Sequence, residues 1–379
     1  MPGQKEKEKF LLKDHLFNRK KVSGLSEELL RAYPDFAAEK FVKDVVAGFK
    51  NRELKERIAW MAEMLRKSLP DDYRKALKII LKALPPPLDP SLTDNDFGDF
   101  IYAPYGDFVA RYGCNERDLA PSLEALRALT QRFSAEDPIR FFLNAFPEET
   151  MAQIETWKND SHYHVRRLCS EGLRPRLPWS QKLMLPVAAG LPVLESLFAD
   201  PTRYVTRSVA NHMNDIAKVD PDLALKTLAA WKKSGKQTAD EMEFIVAHSL
   251  RGLVKQGHPG AMKLLGFSPD ASVSVAFFKV PLRLKRGQTL EFSLGLKASA
   301  PVPVLVDYLI HFRNKSGGLN AGKVFKLKKL NLKKGEVQEI RKAHPLPENM
   351  TTRTIYPGIH YLELQINGKS YGKKRFEIA

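Results

Sequence analysis

The hydrophobic period changes once along this chain, and the change divides it. Up to about residue 265, apolar residues recur at intervals of three and four. Beyond residue 270 they alternate, as in Leu290, Phe292, Leu294 and Leu296 and again in Leu362, Leu364 and Ile366. The first spacing lays an apolar stripe along an α-helix and the second makes one face of a β-strand, so the chain cannot be a single-class domain. It reads as a multidomain α-then-β protein. A helical domain covers residues 10–265, a Gly-, Pro- and Ser-containing linker (GFSPDAS) covers 266–272, and an all-β domain covers 273–379. Residues 1–9, MPGQKEKEK, read as a solvated, disordered tail. Strands are expected near 273–279, 289–297, 303–313, 323–328, 336–341, 358–366 and 370–378. Seven short strands in about 110 residues fit an immunoglobulin-like sandwich without the bridging cysteines of antibody domains.

Charge narrows the partners. The formal net charge is +17, which points to a polyanion, either nucleic acid or an anionic membrane surface. Residues 270–379 hold 20 Lys/Arg against 8 Asp/Glu, so +12 of the surplus lies in the β part and +5 in the rest. The surplus peaks in KVFKLKKLNLKKGE, Lys323 to Glu336, where Lys326 and Lys328 alternate with Phe325 and Leu327 on a strand. A lysine-protected sheet edge is one reading, and phosphate contact, which the basic character of the whole domain favours, is the other. No apolar run approaches the roughly 18 residues of a membrane span, and no basic-then-apolar leader opens the chain, so an intracellular, cytoplasmic protein is expected. Cys114 and Cys169, the only cysteines, lack any metal-ligand spacing and read as buried, reduced thiols; neither a metal nor another cofactor is expected.

Helices are expected near 25–47, 52–67 and 71–83, punctuated by Ser26, Pro34 and the LPPPLDP stretch at Leu84–Pro90. Further on, the sequence repeats at 40 residues. Ile154, Trp157, Asp160, Val165 and Arg167 recur as Leu194, Leu197, Asp200, Val205 and Arg207, and a weaker third copy supplies Asp240 and Ile245. The pattern resembles HEAT repeats, whose stacked helix pairs form an α-solenoid. Val165, Leu168, Cys169 and Gly172 in one copy, and Val205, Val209, His212 and Ile216 in the next, form the core stripe, which makes His212 a core histidine before it is a ligand. The other stripe holds Arg167, Glu171 and Arg174, then Arg207, Asn211, Asn214, Asp215 and Lys218, then Arg251 and Lys255. A solvated face with helix ion pairs would account for it. Asn211, Asn214 and Asp215 are poor helix formers gathered in one turn, however, a local cost that a functional site would explain. Between the copies, SEGLRPRLPW (Ser170–Trp179) ends a helix at Gly172 and sets Arg174, Arg176 and Trp179 among prolines. Two arginines and an indole suit phosphate contact and stacking, while a buried interhelix anchor is the alternative for Trp179.

Three motifs, LTQRFSAEDPIRFFL (Leu129–Leu143), HVRRLCSEGLRPRLPW (His164–Trp179) and YVTRSVANHMNDIAKVDP (Tyr204–Pro221), resemble the AlkC family of bacterial DNA alkylation repair glycosylases, relatives of AlkD. The likeness spans most of residues 10–265, with His212 where a second Asn is expected and SAEDPIR in place of a more apolar run. Some members of the family carry a C-terminal immunoglobulin-like domain. The resemblance implies a monomer without an obligate protein partner that acts on double-stranded alkylated DNA, excising cationic N3-alkylated bases, 3-methyladenine and 3-methylcytosine, without a base-flipping pocket. It implies Asp215, Glu171 and Glu136 as the catalytic carboxylates, with Trp179 packing on the deoxyribose. Arg167, Arg174, Arg176, Arg207, Asn211, Asn214 and Lys218 are then expected to contact DNA, with Lys326 and Lys328 from the β domain. A noncatalytic scaffold for an acidic protein, and a DNA-structure binder without activity, stay open; release of free methylated base separates both from an enzyme.

Overall fold

A computed structural model describes residues 11–92, 94, 97–348 and 354–379. The expected tail at 1–9 lies outside them.

The helical periodicity becomes helices from Leu12–Leu16 to Pro259–Leu264, and the alternation becomes strands from residue 273 onward. The helix expected over 25–47 is two helices, Arg19–Ala32 and Ala38–Ala47. Pro34 disfavours helical backbone at the residue before it, and Tyr33 is extended (φ −141°, ψ 96°). Ser26 is no break; it is buried within the first helix, and its hydroxyl donates to the Ala38 carbonyl of the second at 3.1 Å. Asp72 caps Tyr73–Ala83 by accepting from Lys75 N at 2.8 Å, and Glu53 and Glu56 form a capping box on Leu54–Ser68.

In the repeat, the helix Tyr163–Glu171 packs against Arg203–Ala217. The repeated aspartates fix the turns. Asp160 accepts from His162 N at 2.8 Å and Asp200 from Thr202 N at 2.8 Å, which sets the entry to each second helix. Each also receives an arginine from an earlier helix: Arg127 of Leu119–Thr130 to Asp160 at 2.6 Å and Arg166 of Tyr163–Glu171 to Asp200 at 2.6 Å. Arg203 continues the ladder to Glu241 at 2.8 Å, so Glu241, not Asp240, fills the third position.

The described residues of the β part form eight strands: β1 Val273–Lys279, β2 Arg283–Leu284, β3 Thr289–Ala298, β4 Val302–His311, β5 Lys323–Leu332, β6 Val337–Pro345, β7 Gly358–Ile366 and β8 Lys369–Ile378. One sheet has the order β1-β3-β6 and the other β2-β8-β7-β4-β5, antiparallel except for β2 with β8. The two-residue β2 carries too short a pattern to read from sequence. Leu290, Phe292, Leu294 and Leu296 of β3 and Leu362, Leu364 and Ile366 of β7 are all buried in one core, as their alternation requires. Asn367 (φ 46°) and Gly368 (φ 82°) close the β7–β8 hairpin with left-handed backbone at both central positions, the geometry an Asn-Gly pair favours.

The described chain forms two compact units. One runs through Val219 and takes in Ser234–Glu241; the other comprises Asp220–Lys233 and Met242–Ala379, so the last helices group with the sandwich. The stretch 266–272, expected as a linker, is tied down within that second unit. Asn367 donates to Ser268 O at 2.8 Å and accepts from Leu305 N at 2.8 Å, Lys369 pairs with Asp270 at 2.6 Å, and Phe267 packs with Met262 and Leu305.

Candidate active site

The centre of the polar stripe is buried, while Lys218 and Lys255 are exposed. Asp215 is fully buried, Glu171 is 4% exposed, and Arg167, Arg174 and Asn214 are buried beside them. A buried charge is costly unless it is paired or hydrogen-bonded, and here pairing produces a line of alternating sign. Arg167 Nη1 meets Glu136 Oε2 at 2.9 Å and its Nη2 lies 3.7 Å from Glu171 Oε2. Arg174 Nη1 meets Glu171 Oε1 at 2.5 Å, and its Nε meets Asp215 Oδ2 at 2.9 Å. Lys218 Nζ closes the line on Asp215 Oδ1 at 2.9 Å.

Local folding delivers each member. Arg167 and Glu171 are four apart on the helix Tyr163–Glu171 and so share a face. That helix stops at Gly172, where a Cβ would lie 2.7 Å from Ile139 Cγ2, and the chain turns Arg174 back beneath it. Asp215 sits in the last turn of Arg203–Ala217, and Glu136 in the turn before Ile139–Ala145. Ser208, on the same helix as Asp215, donates to Glu171 Oε2 at 2.6 Å, and Ser134 donates to Glu136 Oε2 at 2.6 Å. Burial raises the cost of Glu171's charge, but Arg167, Arg174 and the Ser208 hydroxyl outweigh it and hold its pKa below the ordinary carboxylate value. The Arg167 guanidinium lies 4.5 Å above the Tyr204 ring, whose phenol burial pushes up to about 12.

His212 is fully buried on the core face, its Nδ1 donating to Ser170 O at 3.0 Å, and burial lowers its pKa to about 4. It fits because residue 190 is glycine; a Cβ there would lie 2.5 Å from His212 Cε1. Cys169 is buried, whereas Cys114 is only half-buried, because it caps the end of the helix Ala103–Gly113 instead of lying within it. Among the described residues, no cluster of three His, Cys, Asp or Glu side chains could hold a metal.

The expected phosphate contacts divide. Arg167 and Arg174 are buried and pair with carboxylates, Arg167 with Glu136 and Glu171 and Arg174 with Glu171 and Asp215. Arg176 is exposed, Lys218 has a half-open side chain on Asp215, and Arg207 pairs with Asp94. Asn211 is half-buried and Asn214 buried. Trp179 is 86% exposed with left-handed backbone (φ 67°), which excludes the buried anchor, and Lys55 donates to its carbonyl. Lys326 and Lys328 are exposed on β5, which lies at the end of its sheet. Lys326 stands across from buried Asp307, whose pKa burial raises to about 6.

Sequence reasoning did not reach Ser208, Tyr204 and Arg140 as parts of this region. It also missed the role of Arg127, Arg166 and Arg203, although their near-regular spacing carried the signal.

Helical repeats bearing a buried line of carboxylates and arginines, followed by an immunoglobulin-like sandwich, define a narrow class. The chain belongs to the AlkC family. Residues 274–379 match the family model described as the C-terminal Ig-like domain of YhaZ. The chain is 32% identical over 369 residues to the uncharacterized protein YhaZ of Bacillus subtilis (strain 168), covering 96% of this chain and 98% of that one. A solved structure, Pseudomonas fluorescens alkylpurine DNA glycosylase AlkC bound to DNA containing an abasic site analog, is similar at a TM-score of 0.87 and 34% identity. The match covers 98% of this chain and all of that chain.

Proposed function

We propose that this protein is a DNA glycosylase of base excision repair that hydrolyses the N-glycosidic bond of cationic N3-alkylated bases, 3-methyladenine and 3-methylcytosine, in duplex DNA without a base-flipping pocket. The observation that carries the reading is the line of three carboxylates fixed by Arg167 and Arg174. An alkylated base that already bears a positive charge leaves without protonation. The enzyme's task is then to place fixed negative charge beside the sugar as it becomes oxocarbenium-like, and to orient water onto the anomeric carbon. Glu171, Asp215 and Glu136 supply that charge. Arg167 and Arg174 keep it in position instead of binding phosphate, and exposed Trp179 packs on the deoxyribose. Arg176, Arg207 and Lys218 contact the DNA backbone, Asn211 and Asn214 line the site, and Lys326 and Lys328 add backbone contacts from the sandwich. The likeness to a glycosylase solved on abasic-site DNA supports this reading.

The test is to incubate the protein with methylated duplex DNA and identify the released bases by mass spectrometry, then repeat with Glu171→Gln and Asp215→Asn. Each amide is expected to slow single-turnover excision by a factor of about 10² or more while leaving DNA affinity nearly unchanged or higher. Glu136→Gln is expected to have a similar or smaller effect. Binding without base release by the unmodified protein would instead favour a DNA-structure binder, and amides that excise at the full rate would remove these carboxylates from the chemistry.

A further inference from the structure

The loop between Gly172 and Met184 contains no regular secondary structure, yet it carries Arg174 near its start, exposed Trp179 in its middle and Met184, 80% exposed, at its end. Lys55 donates to the Trp179 carbonyl at its middle, and both ends of its backbone are held from one helix, Ile139–Ala145. Arg140, 1% exposed, donates from Nη1 to Gly172 O at 3.0 Å and Arg174 O at 2.8 Å, and from Nε to Gln181 O at 2.7 Å. One turn later, Asn144 donates to Lys182 O at 3.0 Å and accepts from Met184 N at 2.9 Å. The two side chains are four apart and so share a helix face.

A buried guanidinium ordinarily faces a carboxylate, because only an opposite charge offsets its lost hydration. Among the described residues none forms an ion pair with Arg140, and its hydrogen bonds go to carbonyl oxygens at both ends of one loop. An apolar side chain would fill the same space at lower cost, but it would leave three carbonyls without these donors and the loop without its tie.

We propose that Arg140 and Asn144 are positioning residues. They latch the loop 172–184, set Arg174 where it bridges Glu171 and Asp215, and hold Trp179 and Met184 outward as paired apolar contacts for the DNA. Such side chains suit insertion against sugars or between base steps. The catalytic consequence rests on the glycosylase reading; the latch itself does not.

The experiment uses the full chain carrying Arg140→Lys, which keeps the charge but loses the fork that spans both ends of the loop. Hydrogen exchange of the 172–184 amides is expected to quicken while the rest of the helical unit is unchanged. Single-turnover excision of 3-methyladenine is expected to fall by about tenfold to a hundredfold, as for a misplaced catalytic group. Affinity for duplex bearing an abasic site analog should change far less, and Arg140→Lys added to Glu171→Gln should cost little beyond Glu171→Gln alone. Unchanged loop exchange overturns the proposal, and so does a rate loss that multiplies fully in the double variant. Should Arg140→Lys fail to fold, Asn144→Ala decides: faster exchange at 182–184 with slower excision supports the latch, and no change in either overturns it. If the unmodified protein releases no base, the glycosylase reading falls and loop exchange alone decides the latch.

Discussion

At the scale of single residues, two buried histidines make the helical unit sensitive to acid. Burial lowers the pKa of His212 to about 4 and of His164 to about 3. Both values lie below the roughly 6.5 of an unfolded histidine, so as pH falls the unfolded chain takes up protons first. Their stabilisation is whole above about pH 6.5 and is lost as pH falls toward 4 for His212 and 3 for His164. His212→Asn retains a donor for Ser170 O and cannot titrate. Its unfolding free energy, followed by melting curves, is expected to fall less than that of the unmodified protein between pH 6.5 and 4, by on the order of 1–3 kcal/mol. Parallel melting curves across that range would show that His212 does not contribute. The role of His212 was legible because the helical spacing placed it on the core stripe. Arg140 was not, because its partners are backbone carbonyls, which no side-chain pattern reveals.

Between secondary-structure elements, the arginine ladder is the tie that matters. Arg166 reaches Asp200, whose side chain is 4% exposed, whereas Lys40 and Asp44 form an exposed pair within one helix. Removing a partner from a buried pair strands a charge, so Arg166→Ala is expected to cost about 3 kcal/mol or more. Lys40→Ala is expected to cost less than about 0.5 kcal/mol. Urea midpoints measure both, and equal shifts would mean that the ladder is no stronger than a surface pair. Sequence showed the 40-residue repeat because apolar positions and turn aspartates recur in it. It placed Arg167 on the polar stripe with Glu171 but did not show that the adjacent Arg166 joins the ladder, since one residue of rotation separates the two faces of a helix. Pro34 was a legible break; Ser26 was a misleading one, because its hydroxyl finds a carbonyl on the neighbouring helix.

For the molecule as a whole, charge and compactness divide the chain differently. The basic surplus begins near residue 270, and if it serves DNA then Lys326→Ala and Lys328→Ala should each reduce the log–log salt slope of binding by about one unit for every phosphate left unneutralised. A slope unchanged in both would leave these lysines as edge protection. The compact boundary lies earlier, because the last helices pack with the sandwich. Gly257 (φ 71°) faces the Gly368 turn so closely that a Cβ on it would lie 2.5 Å from Gly368 O. A gene fusion or domain exchange joined at residue 273 would therefore transplant the strands without Met262 and Phe267, leaving Leu305 bare and the hairpin turn without its counterpart. A recombination joint near residue 242 would carry Met262 and Phe267 with the sandwich but leave behind Asp220–Lys233 of the same compact unit.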